Sequence, residues 1–253
     1  MATFAIGDIH GNLAALQDLL GQIHGEVSKD DVVVFLGDYI DRGDDSRGCI
    51  DAILSFRDEG EARVFCLKGN HEDWLLRTRA DYRRHSWLIA MEAFPTIRSY
   101  SAEAAHTLRE ALSQAGADAY MDHRPLPYEV FFDALPQTHH AFLSELTLSV
   151  DGPDCFCSHA GLNPQIALSD QSPRSLIWGS DGFPDRYSGP LTIVYGHHND
   201  PELDPTGWPH PRIVGNTIGI DTIAHGVLTA IRMPDRHVFQ SGRHVNTGSV
   251  PTG

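Results

Sequence analysis

Three stretches of this chain share one pattern, an apolar run that stops at a polar cluster containing glycine: ATFAIGDIHG at residues 2–11, VVVFLGDYIDRG at residues 32–43 and RVFCLKGNHE at residues 63–72. The apolar runs have the composition and length of buried strands. After the first cluster, Leu13, Leu16 and Leu20 recur at helical spacing. Twenty-five residues separate each cluster from the next, enough for one helix and one strand. This alternation predicts right-handed βαβ units and a parallel sheet covered by helices.

The polar clusters are expected to meet, because parallel strands bring their carboxyl ends to one edge of a sheet, where ligands bind. The donors that would meet there are Asp8, His10, Asp38, Asn70 and His71. Mixed carboxylate, amide and imidazole donors suit borderline divalent metals such as manganese, iron and zinc. Carboxylates on one wall repel each other unless cations stand between them. The pattern therefore predicts a pair of metal ions at this edge.

Two later histidines also follow predicted strands. His159 comes directly after the run at Cys155–Ser158, and His197 comes shortly after the run at Leu191–Tyr195. Each lies where a strand passes into a loop. We therefore expect both imidazoles to join the same site.

The composition is that of an ordinary globular chain, with 253 residues, 41% of them hydrophobic and 21% charged. Lys and Arg total 19 against 34 Asp and Glu, a net charge of −15 that disfavours binding to nucleic acid or anionic lipid. No apolar run approaches the roughly 20 residues that span a bilayer, and the first residues lack the pattern of a secretory signal. With four cysteines and no disulfide-like framework, we expect a cytoplasmic protein without nucleic-acid or membrane partners.

The chain is predicted to form one domain over residues 1–240. Residues 77–148 are mostly helical in pattern, so we interpret them as a helical cap or insertion. Strand character returns later, with one run at residues 213–220 and another at residues 227–232. Residues 241–253 have the character of a flexible tail.

The motifs GDIHG, GDYIDRG and GNHE, in this order and spacing, resemble those of the calcineurin-like metallophosphoesterases. More narrowly, they resemble the phosphoprotein phosphatase branch, which includes bacterial and phage serine/threonine phosphatases and diadenosine tetraphosphate hydrolases. Weaker similarity continues through SHAGL at residues 158–162, YGH at residues 195–197 and IDT at residues 220–222. The resemblance implies an α/β fold, a four-layer α/β/β/α sandwich with a helical insertion.

The resemblance also implies a ligand for each metal position. The residues that it assigns as metal ligands are Asp8, His10, Asp38, Asn70, His159 and His197. Asp38 would bridge the two ions, with Asp8 and His10 on the first. We expect two divalent cations, manganese foremost, with iron or zinc as alternatives. A metal-bound hydroxide would attack phosphorus directly, because a metal can lower the pKa of bound water from 15.7 to about 7.

The catalytic roles implied by the resemblance fall on the second and third clusters. Asp41 would fix the imidazole of His71, and His71 would protonate the departing alkoxide. Arg42 would bind phosphate oxygens bidentately, and Asn70 would contact substrate as well as metal. We interpret Glu72 only as a first-turn charge of the helix that follows.

The chain departs from the branch at two positions near the expected substrate. Relatives carry an arginine after a tryptophan like Trp178, where this chain has Gly179. Arg186 is our candidate for the missing phosphate clamp. The motif that begins at Asp221 lacks the aromatic residue that relatives place after it, and we expect His225 to face the substrate instead.

A dinuclear-metal-dependent phosphomonoesterase is the function that the resemblance implies. We expect a protein phosphatase acting on phosphoserine or phosphothreonine, with phosphotyrosine or a small phosphoester as further substrates. Two alternatives stay open, a diadenosine polyphosphate hydrolase and a metal-binding regulatory module that has lost turnover. Diadenosine polyphosphate hydrolases tend to have alanine at the position of Asp41. A regulatory module without turnover would not need the His71–Asp41 pair. The net charge favours substrates with basic residues near the phosphate. The oligomeric state stays open.

Overall fold

A computed structural model describes residues 1–121 and 124–242. The strands are β1 (Thr3–Ile6), β2 (Val32–Phe35), β3 (Arg63–Cys66), β4 (Ser149–Asp151), β5 (Cys155–Ser158), β6 (Thr192–Tyr195), β7 (Glu202–Leu203), β8 (Pro209–His210), β9 (Arg212–Val214), β10 (Thr217–Gly219), β11 (Thr229–Met233) and β12 (His237–Gln240). The helices are α1 (Leu13–His24), α2 (Ser46–Glu59), α3 (Asn70–Ala80), α4 (Ser86–Ala90), α5 (Phe94–Tyr100), α6 (Ala102–Ala115), α7 (Asp118–Met121), α8 (Glu129–Phe132), α9 (Gln137–Glu145) and α10 (Pro173–Trp178).

Two five-stranded sheets contain most of these strands. The first has the order β12-β11-β1-β2-β3, and the second has the order β4-β5-β6-β10-β9. Strands β1, β2 and β3 are parallel, as are β5, β6 and β10, while the outer strands β11, β12, β4 and β9 run antiparallel to their neighbours. The predicted parallel sheet is thus the centre of a mixed sheet.

Successive side chains along β1 and β2 point into two different cores, which explains why these strands are continuous apolar runs in the sequence. Phe4 and Phe35 face the helices, in the large core that contains most of the helical side chains. Ala5 and Val34 point the other way, into a core shared with Cys157 and other residues of the second sheet. Both faces of a strand between two layers must be apolar, because successive side chains point to opposite sides.

A third core covers the outer face of the second sheet, where Ile193 packs with Leu162, Leu176 and Phe183. The layers are therefore helices, sheet, sheet, and then α10 with its adjoining loops. This arrangement confirms the four-layer α/β/β/α prediction. Because the sheets are stacked, the carboxyl ends of β1, β2, β5 and β6 all open on one edge of the sandwich.

Helices α3–α9 occupy the chain between β3 and β4, where we expected the helical cap or insertion. Their buried side chains include Trp87, Tyr128 and Phe131. They pack into the same core as the inner face of the first sheet. Among the described residues, none of the helices combines the length and the apolar character of a membrane span.

The single strand expected at residues 213–220 is wrong, because this segment is a hairpin. Strands β9 and β10 are antiparallel, with Ile213 opposite Ile218. The chain reverses at Gly215, whose φ is +55°, followed by Asn216, a pair typical of tight hairpin turns.

The expected tail at residues 241–253 lies outside the described residues from residue 243 onward. Its first two residues are held by hydrogen bonds. The Ser241 N–H donates to Leu228 O at 2.9 Å, and the Gly242 N–H donates to Asp18 Oδ2 at 2.6 Å.

Candidate active site

The loops after the central strands bring buried polar side chains to one edge of the sandwich. The site residues that the structure buries there are Asp8, His10, Asp38, Asp41, Asn70, His71 and His159. Five residues of these loops have φ values between +45° and +73°: His10, Asp38, Asp41, Arg42 and His197. Such backbone conformations cost of order 1–3 kcal/mol each for residues other than glycine and persist where the surroundings fix them.

Asp38 lies at the centre of the cluster, with one carboxylate oxygen directed to each side. Its Oδ2 is 3.5 Å from His10 Nε2 and 3.8 Å from His71 Nε2. Its Oδ1 is 3.5 Å from His159 Nε2 and accepts the backbone N–H of His71 at 3.1 Å. Two sets of metal-ligating atoms therefore share this residue, His10–Asp38–His71 and Asp38–His159–His197. That position is the one a bridging carboxylate requires.

Backbone carbonyls orient two of the imidazoles. His10 Nδ1–H donates to Ile40 O at 3.0 Å, and His159 Nδ1–H donates to Leu36 O at 2.9 Å. These bonds leave the Nε2 lone pair of each neutral ring directed into the cluster, as is typical of metal-ligating histidines.

The amide oxygen of Asn70 joins the second set. Asn70 Oδ1 lies 2.9 Å from His159 Nε2 and 2.9 Å from His197 Nδ1. Because Nδ1 of the neutral His159 ring donates to Leu36 O, its Nε2 has a lone pair and no proton. This lone pair faces Asn70 Oδ1, which is also an acceptor. Facing acceptors of this kind fit a site built for a cation.

Asp8 approaches the cluster from the β1 loop and is held by the β6 loop. Its two oxygens accept the backbone N–H of His197 at 3.1 and 3.0 Å. A Cβ at Gly196 would collide with Asp8 Oδ1, so glycine is required for this contact. Asp8 belongs to neither compact set of ligand atoms, whereas His71, expected to act as an acid, lies within the first.

The protonation tendencies of these groups follow from burial and mutual charge. Burial lowers the pKa of His10 and of His197 to about 3, so both rings are neutral ligands at pH 7. Burial and the charge of Asp221 hold the pKa of Asp8 well above its usual range. Burial also raises the pKa of Asp38, but the histidines around it, His159 first, outweigh burial and keep this pKa below its usual range.

The pair predicted between His71 and Asp41 is present. His71 Nδ1 is 2.8 Å from Asp41 Oδ2, and both side chains are buried. Trp87 Nε1–H donates to the same Asp41 oxygen at 2.9 Å, and Thr96 Oγ1 donates to Oδ1 at 2.7 Å. Burial lowers the pKa of His71, but the negative charge of Asp38 and the bond to Asp41 outweigh it and raise that pKa to about 9. His71 is therefore protonated at pH 7.

Trp87 and Thr96 were missed in the sequence. They come from α4 and α5, among the helices between β3 and β4, and neither stands near a motif. These helices therefore shape the site as well as covering the core.

Glu72 lies in the first turn of α3, as interpreted, but it is more than a helix-terminal charge. Its side chain is fully buried. Oε2 accepts the backbone N–H groups of Asp38 at 3.0 Å and Gly69 at 3.1 Å, and Oε1 accepts that of Tyr39 at 2.9 Å. Burial and the nearby charge of Asp38 raise its pKa to about 8. Glu72 thus fixes the loops that carry Asp38 and Asn70, and its position in the GNHE motif was the available signal.

Three predicted substrate contacts occupy different places. Arg42 is exposed at the rim, and its Nη1–H donates to His10 Nε2 at 3.0 Å. Arg186 is also exposed, and its side chain lies against Gly182 of its own loop. His225 is exposed in a short 3₁₀ turn. The contacts described for Arg186 and His225 do not reach the ligand cluster, so their assignment to substrate stays a prediction.

Asp221 is a further buried carboxyl group at this edge. It is 3% exposed, and its Oδ1 has no hydrogen-bond partner among the described residues. Burial and the charge of Asp38 raise its pKa to about 7, while Arg42 lowers it. The IDT motif contained the signal, but no role was assigned to this residue.

These groups fit a pair of divalent cations. The cluster contains neutral imidazoles, facing acceptors and carboxylates that raise one another's pKa. Nitrogen and oxygen donors in this mixture suit manganese, iron or zinc. Dications would relieve the repulsion between the buried carboxylates.

The chain is similar to known phosphoesterases, both in its match to a family profile and in its match to individual proteins. The profile of the family described as calcineurin-like phosphoesterase matches residues 1–226. A zinc-dependent endopolyphosphatase of Saccharomyces cerevisiae is 27% identical over 63% of this chain, and a serine/threonine-protein phosphatase 1 of Salmonella typhimurium is 36% identical over 34% of it. The aligned regions cover only 46% and 37% of those two relatives.

Two other comparisons extend over nearly the whole chain. An asymmetrical bis(5′-nucleosyl)-tetraphosphatase PrpE of Oceanobacillus iheyensis is 26% identical over 91% of this chain and 88% of its own length. The solved structure of a candidate diadenosine tetraphosphatase superposes with a TM-score of 0.60 at 19% identity, covering 96% of this chain and 95% of that one. At this identity the structural likeness concerns the fold.

Proposed function

The chain belongs to the calcineurin-like phosphoesterase family, and we propose that it is a metal-dependent phosphatase that hydrolyses phosphoserine and phosphothreonine in proteins. The observation that carries this proposal is the position of Asp38 between two sets of ligand atoms, directly beside the His71–Asp41 pair. A centre for two cations and a buried proton donor are the two requirements for hydrolysis of an alkyl phosphate.

The first ion would be held by Asp8, His10 and Asp38, and the second by Asp38, Asn70, His159 and His197. Divalent cations held there would supply neutralisation of the phosphate charge and activation of the attacking water. We expect manganese, with iron or zinc as alternatives, because all three accept this mixture of donors. The carbonyls of Ile40 and Leu36 keep His10 and His159 in the ligating orientation.

His71 would supply the proton that the leaving group needs. The buried carboxylate of Asp41 accepts a hydrogen bond from Nδ1, which favours the protonated ring and leaves Nε2 to carry the transferable proton. An alkoxide is a poor leaving group without protonation, so this transfer matters most for phosphoserine and phosphothreonine.

Arg42 would bind the phosphate at the rim. Its guanidinium already contacts His10 Nε2, the atom that would hold the first ion, so cation binding would release the side chain toward the substrate. A guanidinium can bind two phosphate oxygens together. We assign Asn70, Arg186 and His225 as further substrate contacts, the last two on sequence alone.

A dinucleoside polyphosphate is the second candidate substrate. It is favoured by the match to the bis(5′-nucleosyl)-tetraphosphatase, which extends over 91% of this chain. The buried and hydrogen-bonded Asp41 favours the protein phosphatase. Dinucleoside polyphosphate hydrolases of this branch tend to have alanine at the position of Asp41.

The test compares initial rates of the metal-stripped chain, reloaded with manganese, iron or zinc, on p-nitrophenyl phosphate, phosphopeptides and diadenosine tetraphosphate. We expect His71→Gln to lower kcat on phosphoserine peptides by about 10²–10⁴-fold. The loss should be smaller on p-nitrophenyl phosphate, whose leaving group departs without a proton. The exposed His106→Gln serves as the matched control.

Two results would overturn the proposal. A large preference for diadenosine tetraphosphate over every phosphopeptide would replace the protein phosphatase with the second candidate. Absence of hydrolysis with all three metals would favour a metal-binding regulatory module instead.

A further inference from the structure

An open groove of about 640 Å³ lies between α3 and α4, and α7 closes one side of it. Trp74 and Arg77 line it from α3, the helix that also carries the predicted metal ligand Asn70. Because α3 begins at Asn70, Trp74 and Arg77 lie about 6 and 10 Å further along its axis, at 1.5 Å per residue. The volume is within the range of ligand-binding clefts.

The charges that line this groove are opposite to the net charge of the chain. Among the residues that the structure describes, three arginines line it, Arg77, Arg83 and Arg84, against one aspartate, Asp81. The whole chain has 34 acidic residues against 19 Lys and Arg. A cleft lined mainly by one sign of charge concentrates the field and attracts groups of the other sign.

The arginines are available to an incoming anion. Arg77 is paired with Asp73 at 2.8 Å, and Arg83 and Arg84 share Asp81 at 2.8 and 3.8 Å. All three arginine side chains are more than half exposed. Exposed ion pairs contribute little to stability, so a ligand that brings its own negative charge can replace these aspartates.

Aromatic rings complete the lining. Tyr120 is 57% exposed on α7, and Trp74 packs against Trp178 with ring centroids 5.0 Å apart. These rings offer an apolar surface for the part of the substrate between its charged groups. Trp74 also lies between Asn70 and Arg77 along α3.

We propose that the groove between α3 and α4 binds a second anionic group of the substrate, at Arg77 and about 10 Å along α3 from Asn70. The proposal rests on the proposed function, since it takes the ligand cluster as the place where the phosphate of the substrate is cleaved. Carboxylates of an acidic phosphopeptide and the further phosphates of a polyphosphate chain share the chemistry that guanidinium groups bind. The groove thus favours acidic substrates, whereas the net charge alone favours basic ones.

The test uses the double variant Arg77→Gln/Arg84→Gln in the metal-loaded chain. The matched control is Arg79→Gln, an exposed arginine of the same helix outside the residues that line the groove. The substrates are p-nitrophenyl phosphate, which is too short to reach the groove, two phosphoserine peptides with glutamates or glutamines at positions +2 to +4, and diadenosine tetraphosphate.

We expect the double variant to lower kcat/KM on the glutamate peptide by about tenfold, mainly through KM, as for two partly exposed charge contacts. Rates on p-nitrophenyl phosphate and on the glutamine peptide should not change, and Arg79→Gln should behave as wild type. The preference of the wild type for glutamate should decline as salt is raised, because salt screens exposed charges. A loss confined to diadenosine tetraphosphate would assign the groove to phosphates rather than to carboxylates.

Two outcomes would refute the subsite: unchanged rates of the double variant on all extended substrates, or an equal loss on p-nitrophenyl phosphate. If the proposed function is wrong, the wild type itself will not hydrolyse these substrates, and this result is distinct from failure of the subsite. In that case, anisotropy of a fluorescent glutamate peptide with a non-hydrolysable phosphonate still compares the wild type with the double variant. Equal affinities would then exclude the subsite.

Discussion

Replacing Glu72 should destabilise the protein and lower its activity together. In the structure one oxygen of this buried side chain accepts two backbone N–H groups, from Asp38 and Gly69, and the other accepts the N–H of Tyr39. Glutamine has the same shape but only one acceptor oxygen. Whichever way its amide is turned, its NH2 group faces at least one of these N–H donors.

The magnitude follows from the donors left without an acceptor. A buried N–H that loses its partner costs about 1–3 kcal/mol. Glu72→Gln leaves one or two such groups but removes a carboxyl that the charge of Asp38 disfavours, so we expect the free energy of unfolding to fall by about 2 kcal/mol. Glu72→Ala leaves three and should cost about 4 kcal/mol or more.

Activity should fall because the same bonds position a metal ligand. If the Asp38 loop shifts by about 1 Å, a loss of the order of 10²-fold in kcat is expected. Urea unfolding followed by circular dichroism gives the stability, and p-nitrophenyl phosphate hydrolysis gives kcat. Glu103→Gln is the matched control, because Glu103 is an exposed first-turn acid of α6 and should change stability by less than about 0.5 kcal/mol.

One result would refute this reasoning. If Glu72→Gln matches Glu103→Gln in both unfolding free energy and kcat, Glu72 acts only as a helix-terminal charge and the three hydrogen bonds contribute nothing.

Three further predictions concern the other buried groups of the site. The metal-free protein should lose stability as pH rises from about 6.5 to 8, because Asp8, Glu72 and His71 have raised pKa values and bind protons more tightly in the folded state, whereas the lowered pKa values of His10 and His197 have the opposite effect mainly below this range; melts in chelator across this range test it, and a rise in melting temperature would contradict it. Asp221→Asn should raise the metal-free melting temperature at pH 8 but reduce the increase given by manganese, since it removes a buried carboxylate that faces the cluster; a decrease in both forms would instead indicate a structural role. Thr96→Val should lower kcat about tenfold with little change in KM, because it removes a donor to Asp41 that contributes about 1–1.5 kcal/mol; an unchanged acidic limb of the pH–rate profile together with wild-type kcat would show that Asp41 does not need this bond.

The sequence was most informative where side chains follow strand ends. Strands β1, β2 and β3 are apolar on both faces because they lie between two layers. That pattern can be recognised from the sequence alone. Parallel pairing then brings Asp8, Asp38 and Asn70 to one edge. The placement of the principal donors follows from local pattern and general topology.

The remaining contacts could not be inferred in this way, because they join side chains to backbone groups of distant segments. Glu72 binds N–H groups more than 30 residues away in the chain, and Thr96 reaches Asp41 across 55 residues. Periodicity reports which face of an element is buried but not which N–H on another loop lacks an acceptor. The hairpin at β9 and β10 was missed for a simpler reason, since its Gly215 turn interrupts a run that is otherwise strand-like.

The buried acids of this site divide into two groups with opposite consequences for stability. The oxygens of Glu72 and Asp41 are satisfied by protein donors, so these residues stabilise the fold whether or not cations are bound. Oδ1 of Asp221 has no hydrogen-bond partner among the described residues, and Arg42 does not outweigh the effects of burial and Asp38 on this group, so the folded chain gains from this carboxylate only when bound cations add positive charge. Metal-free and metal-loaded stabilities should therefore change in the same direction for substitutions of the first group and in opposite directions for Asp221. Measuring both forms of each variant separates acids that hold the loops from an acid that serves the metal centre, which activity alone cannot do.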